Sequence, residues 1–101
     1  MDIKDQLNSD IVKAMKSGDK ATTETLRGLK SAIKYVEIDV GHELDNEETV
    51  AVIAKQAKQR RDSIAEFEKA GRTDLVEKEA IELTLLEKYL PALSPNAFLH
   101  L

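Results

Sequence analysis

Cysteine and tryptophan are both absent from this 101-residue chain, and it has only two prolines and four glycines. Without cysteine there is no disulfide and no thiolate metal site, which fits a reducing compartment. So few glycines and prolines cannot supply the repeated tight turns of an all-β chain. The aromatic side chains are Tyr35, Phe67, Tyr89 and Phe98, too few for the successive base-stacking platforms that hold single-stranded nucleic acid. No apolar run approaches the ~20 residues of a membrane span, so no membrane partner is expected. The opening residues, Met1 to Asp10, are too acidic and too poor in apolar residues for a secretory signal. The cytoplasm is the expected location.

What the chain has in quantity is charge. Charged residues make up 34% and hydrophobic residues 42%, with a formal net charge of −4. The first figure is high and suits long solvated helix faces. The signs are unevenly placed. Between Lys13 and Lys34 there are six basic and two acidic residues; between Tyr35 and Thr49, six acidic and none basic; between Val50 and Arg61, four basic and none acidic. Such blocks either neutralise one another when helices pack or leave a positive face on a mildly acidic protein.

Four helices are predicted. The first runs from about Ile3 to Lys16, with Ile3, Leu7, Ile11 and Met15 (or Ala14) on one face; that spacing follows the 3.6-residue period. Asp2 caps its start and Gly18 ends it. The second is capped by Asp19 and ends at Gly41, and its apolar positions Leu26, Leu29, Ile33, Val36 and Val40 step by three and four, a seam for another helix. Residues 41–44 read as a loop. Asp45 to Glu48 read as a capping box, in which Asp45 accepts the Glu48 N–H and Glu48 reaches back. The third helix runs from Asn46 to about Ala70 with a seam of Val50, Ile53, Ala57, Arg60, Ile64 and Phe67. The fourth is capped by Thr73 or Asp74 and reaches about Tyr89, its apolar face formed by Leu75, Val76, Leu83, Leu86 and Leu90. Pro91 stops it, because proline lacks an N–H and restricts the residue before it. Short connections between the first and second helices, and between the third and fourth, imply antiparallel neighbours. The fold class is therefore all-α, an antiparallel bundle-like domain over residues 1–91 with a short C-terminal tail over residues 92–101.

The search for chemistry returns little. His42 and His100 fall in a loop and in the tail, without the carboxylate or histidine spacing of a metal site. No serine sits in a nucleophile elbow, and no glycine-rich phosphate loop is present. The sequence makes no positive case for catalysis or for a cofactor, although a site assembled from distant residues stays open. One polar residue falls in a core position: Arg60 interrupts the seam of the third helix. Folding that helix onto the fourth about Gly71 brings Arg60 within reach of Glu79 or Glu82. Glu79, which breaks the apolar face between Leu75 and Leu83, is the first candidate for a structural ion pair with Arg60. The other cations form two stripes. Arg27, Lys30 and Lys34 share one side of the second helix, and Lys55, Lys58 and Arg61 one side of the third. Side by side, they would track a phosphate backbone by shape rather than by base edges.

The blocks Ala57-Lys58-Gln59-Arg60-Arg61-Asp62-Ser63-Ile64 and Glu66-Phe67-Glu68-Lys69-Ala70-Gly71-Arg72-Thr73-Asp74-Leu75 resemble the signature of the YqeY family. So do Leu26-Arg27 with Leu29-Lys30-Ser31-Ala32, and Glu77-Lys78-Glu79 followed by Leu86 and Tyr89-Leu90-Pro91. The likeness covers residues 1 to about 93. That family is similar in fold to the helical tail of the GatB subunit of glutamine-dependent tRNA amidotransferases, carbon–nitrogen ligases that convert misacylated Glu-tRNA or Asp-tRNA to Gln-tRNA or Asn-tRNA. In those enzymes the tail contacts tRNA and the chemistry lies in other domains. The resemblance implies a non-catalytic tRNA-associated module, with tRNA contacts carried to Lys58 and Arg61. The alternative is a protein-interaction helper that docks on an aminoacyl-tRNA synthetase or amidotransferase complex; the third reading is an enzyme subunit in the strict sense. Family members usually continue after the Leu-Pro into a second, smaller helical domain, whereas here ten residues follow Pro91.

Overall fold

The computed structural model describes residues 2–91, and the tail expected at residues 92–101, with His100, lies outside them. The described residues form four helices: α1 (Ile3–Ser17), α2 (Lys20–Val40), α3 (Asn46–Lys69) and α4 (Thr73–Glu87). They pair as two hairpins, α1 with α2 and α3 with α4, the second being the more extensively packed. The fold is all-α.

Local chemistry accounts for most of the boundaries. The Asp2 carboxylate accepts the Lys4 N–H, and the Asp19 carboxylate accepts the Thr22 N–H, each satisfying a donor that the first turn leaves free. Gly18 has φ 74°, a left-handed conformation that turns α1 into α2 within two residues. The capping box of α3 is formed in both directions: Asp45 Oδ1 accepts from Glu48 N at 2.8 Å and Glu48 Oε1 from Asp45 N at 3.1 Å. The start of α4 differs from expectation. Arg72, not Thr73 or Asp74, occupies the cap position, and no side chain caps it. The turn is closed from the backbone instead: Gly71 has φ 70°, and the Arg72 N–H donates to the Phe67 carbonyl at 2.9 Å. Asp74 is held by the Arg72 guanidinium through two bonds of 3.1 and 3.2 Å.

The core lies where the two hairpins meet. Leu7 and Ile11 of α1, Leu26, Leu29 and Ile33 of α2, Ile53 and Ala57 of α3, and Leu86 of α4 are buried together. Ile53 and Ala57 have no exposed surface. Burying a side chain the size of Ile53 contributes about 1.5–3 kcal/mol relative to leaving it in water. Of the two residues offered at the end of the α1 face, Ala14 is buried and Met15 is exposed. One reading is corrected: on α2, Val40 is half-exposed at the end of the seam. Leu44, placed in a loop by the sequence, is buried against the core. The α2–α3 connection is therefore anchored by a side chain and not only by its caps.

Three polar contacts tie the ends together. Ile3 N donates to Asn46 Oδ1 at 3.1 Å, joining the start of α1 to the start of α3. Lys4 Nζ lies 2.7 Å from Glu37 Oε2, which also accepts the Leu44 N–H at 2.9 Å. The Tyr89 hydroxyl donates to Asp10 Oδ2, joining the residues after α4 to α1. Burial of Tyr89, then its bond to Asp10, pushes its hydroxyl well above the ordinary tyrosine range.

Candidate nucleic-acid interface

All six candidate cations, Arg27, Lys30, Lys34, Lys55, Lys58 and Arg61, are exposed. Their positions follow from helix geometry: each falls off the seam that its helix turns inward. The structure separates them into two groups. On α3, Lys58 Nζ lies 3.0 Å from Asp62 Oδ2 one turn along the same helix, and Arg61 Nη1 lies 3.8 Å from Glu87 Oε2 on α4. These are exposed pairs, each contributing about 0–1 kcal/mol. On α2, Arg27, Lys30 and Lys34 have no carboxylate within ion-pair distance among the described residues; Arg27 instead directs Nη2 at the Met15 sulfur, at 3.2 Å. Lys55 is likewise without an ion pair among the described residues. The two stripes lie on different hairpins, and no cleft among those described is lined by members of both.

Lys30 and Lys34 line a groove of about 790 Å³ between α1 and α2, together with Tyr35 and Ile38. Tyr35 is 75% exposed and Ile38 72%, the two most exposed large apolar side chains among the described residues. Asp2, Asp5 and Glu43 line the same groove, so its charge is mixed. The Lys4–Glu37 pair forms part of its lining, with side chains 24% and 14% exposed. The lysine and the Leu44 amide hold the Glu37 carboxyl below the usual glutamate range, and the carboxylate in turn raises Lys4.

Arg60 is partly buried, with 23% of its side chain exposed. Its partner is Glu82, Nη2 to Oε1 at 3.4 Å, and not Glu79; Nη1 donates to Gln56 Oε1 at 2.9 Å. The correction follows from the hairpin. Arg60 and Glu82 are equally distant in sequence from Gly71, at which the chain reverses, whereas Glu79 lies nearer the turn. Arg60 Nε is buried without a hydrogen-bond partner. The guanidinium lines a cleft of about 270 Å³ with Gly28 of α2 and Lys78, Ile81 and Glu82 of α4.

His42 is exposed, and its Nδ1 lies 2.9 Å from the Glu43 carbonyl oxygen. Among the described residues no group of three or more His, Cys, Asp or Glu is placed to hold a metal ion, and no helix is long and apolar enough to cross a membrane. Sequence reasoning missed Tyr35 and Ile38 as a surface feature, although both lie off the three-four seam of α2. It missed Glu37 and the Tyr89–Asp10 bond altogether. Those contacts span 33 and 79 residues of sequence.

Comparison with known proteins bears on these placements. The family described as Yqey-like protein matches residues 4–98. The chain is 49% identical over 88 residues to a Kluyveromyces lactis protein named "Altered inheritance of mitochondria protein 41, mitochondrial", covering 86% of this chain and 48% of that one. It is 44% identical over 85 residues to the protein of the same name from Lachancea thermotolerans, covering 83% and 46%. With that of Eremothecium gossypii the identity is 41% over 88 residues, covering 86% and 48%. The chain thus spans about half the length of the curated relatives it matches. The names correct the expected location: the relatives are called mitochondrial, which points to mitochondria rather than to the cytoplasm. The composition of a folded domain reflects its packing, whereas an organelle address is carried by a separate targeting segment.

Proposed function

The chain belongs to the Yqey-like protein family, and on that premise we propose that it is a non-catalytic tRNA-associated module. It would be of the kind that forms the tail of glutamine-dependent tRNA amidotransferases, the carbon–nitrogen ligases that use glutamine as nitrogen donor. The observation that supports this reading is the exposure of Arg27, Lys30 and Lys34 on α2, none of them in an ion pair among the described residues. Cations already held by carboxylates gain little from a phosphate, because the existing pair must be given up; free cations release counterions from the nucleic acid directly. In this reading α2 carries the main contact and Lys55 adds to it, while Lys58 and Arg61 contribute less. The amide-transfer chemistry belongs to other chains or domains, and this one positions the tRNA.

Titration against bulk tRNA at two salt concentrations tests it. Three phosphate contacts give a slope of log K against log salt of about −2 to −3. The triple variant Arg27→Glu, Lys30→Glu, Lys34→Glu removes binding, and the pair Lys58→Glu, Arg61→Glu weakens it less. Absence of binding at low salt overturns the reading. A second reading, docking on an aminoacylation or amidotransferase complex, is favoured by one observation: the exposure of Tyr35 and Ile38 side by side on α2.

A further inference from the structure

The groove between α1 and α2 has a charge pattern that is complementary to itself. Lys30 and Lys34 lie on the N-terminal side of Tyr35 and Ile38 along α2. Asp2 and Glu43 lie on the other side. The 2.7 Å contact of Lys4 with Glu37 sets the start of α1 level with the end of α2, and Glu43 follows the Gly41 turn. Basic and acidic ends therefore flank an exposed apolar pair within one groove. We propose that this groove receives a second copy of the chain, the two α2 helices running antiparallel about a two-fold axis between Tyr35 and Ile38.

Antiparallel pairing follows from electrostatics. With the axis there, Tyr35 of one copy meets Ile38 of the other, and Lys30 and Lys34 face the end of the groove that carries Asp2 and Glu43. Lys30 lies about 10 Å from the axis along α2, at 1.5 Å per residue, and Glu43 lies beyond the Gly41 turn at the other end of the groove. Parallel pairing would place lysine against lysine and carboxylate against carboxylate. The two-fold arrangement is isologous, so the same patch serves both copies and the assembly closes at two. Two large apolar side chains per copy, each more than 70% exposed, leave water at its centre. The surface overlaps the α2 cations, so tRNA and the second copy compete for it, but dimerisation does not depend on the RNA reading.

Sedimentation equilibrium of the 101-residue chain from micromolar to millimolar concentration is the test, without RNA. A monomer–dimer equilibrium that weakens with salt is expected. Lys30→Glu should weaken the dimer at least tenfold, and adding Glu43→Lys should restore it, because the swapped charges again oppose; that double variant would not recover tRNA binding. The absence of native cysteine permits a second readout. Under air oxidation, with dioxygen as electron acceptor, a mixture of the Tyr35→Cys and Ile38→Cys variants should give the mixed disulfide in preference to either homodisulfide. A chain that stays monomeric to millimolar concentration overturns the proposal and leaves the groove to another protein or to RNA. So does a dimer that is indifferent to Lys30→Glu and gives no mixed disulfide. Circular dichroism shows whether each variant remains helical.

Discussion

The two hairpins manage charge and burial in opposite ways. The α1–α2 hairpin supplies most of the buried residues, among them Leu7, Ile11, Leu26, Leu29 and Ile33, yet it leaves Arg27, Lys30 and Lys34 without ion pairs among the described residues. The α3–α4 hairpin contributes fewer buried side chains in all, Ile53, Ala57 and Leu86 among them, but it pairs most of its candidate cations: Lys58 with Asp62, Arg61 with Glu87, Arg60 with Glu82, Lys55 being the exception. One hairpin therefore presents charge outward and the other consumes it. Two stripes of three basic residues, one on each helix, do not make equal surfaces. What matters is whether a carboxylate on the same or the facing helix has already claimed each cation.

Breaking the shared core should have the largest effect. Ile53→Ala removes a side chain with no exposed surface where α3 meets both hairpins, and should cost about 2–5 kcal/mol. The midpoint of thermal unfolding should fall by roughly 4–8 °C per kcal/mol for a domain of this size. Ile64→Ala, half-buried farther along α3, should cost clearly less; an equal loss would mean that the far end of the second hairpin is packed as tightly as the centre.

The next effect is at Arg60. Glu82→Ala leaves a partly buried guanidinium without its carboxylate, at about 1–3 kcal/mol once the remaining exposure of the pair is allowed for. The double variant Arg60→Met, Glu82→Leu should recover most of that loss in chemical denaturation, since a partly buried pair adds little beyond what apolar side chains of similar volume provide. Glu79→Ala should have a smaller effect than Glu82→Ala, and the reverse order would overturn the assignment of the partner.

The clasp at the open end of the first hairpin gives a pH dependence. Glu37 titrates below its ordinary value because Lys4 and the Leu44 amide stabilise its charged form. Its contribution is present above the unfolded value of 4.5 and is lost as pH falls through the folded one. Lys4 is raised above 10.5, so its contribution is complete below that value and disappears as pH rises through the folded one. Glu37→Gln should flatten thermal stability against pH between 5 and about 3. An unchanged acid limb would show that the clasp contributes nothing to stability.

The smallest effect is expected at the exposed pairs of the second hairpin. Lys58→Met should change stability by at most about 0.5 kcal/mol. If the variant also leaves tRNA binding intact while Lys34→Met weakens it, the division of the cations between the hairpins is sharpened; equal losses would abolish it.

Much of the fold was legible because it rests on interactions between residues two to five apart. Asp2, Asp19 and Asp45 cap the first three helices, Gly18 and Gly41 end two of them, and the Glu48 side chain closes the capping box as expected. The candidate site was legible only as a set of residue types on helix faces. Periodicity placed six cations outward and Arg60 inward, but it left Glu79 and Glu82 both open as partners of Arg60 and carried no information about Asp62 or Glu87. The burial of Leu44 and the exposure of Tyr35 and Ile38 were likewise out of reach, because they depend on which flank of α2 another helix covers.

The sequence by itself determined the four helices, the N-caps of the first three and most of the face that each turns inward, since these are settled by hydrogen bonds and side-chain spacing within a turn or two. Only the tertiary structure decided that Glu82 holds Arg60, that Glu37 clasps Lys4 and the Leu44 amide, that Tyr89 reaches Asp10, and that, among the described residues, Arg27, Lys30 and Lys34 of α2 form no ion pair while Lys58, Arg60 and Arg61 of α3 do. Each of these depends on two segments being brought to the same place, and helix propensity and period carry no coordinate for that.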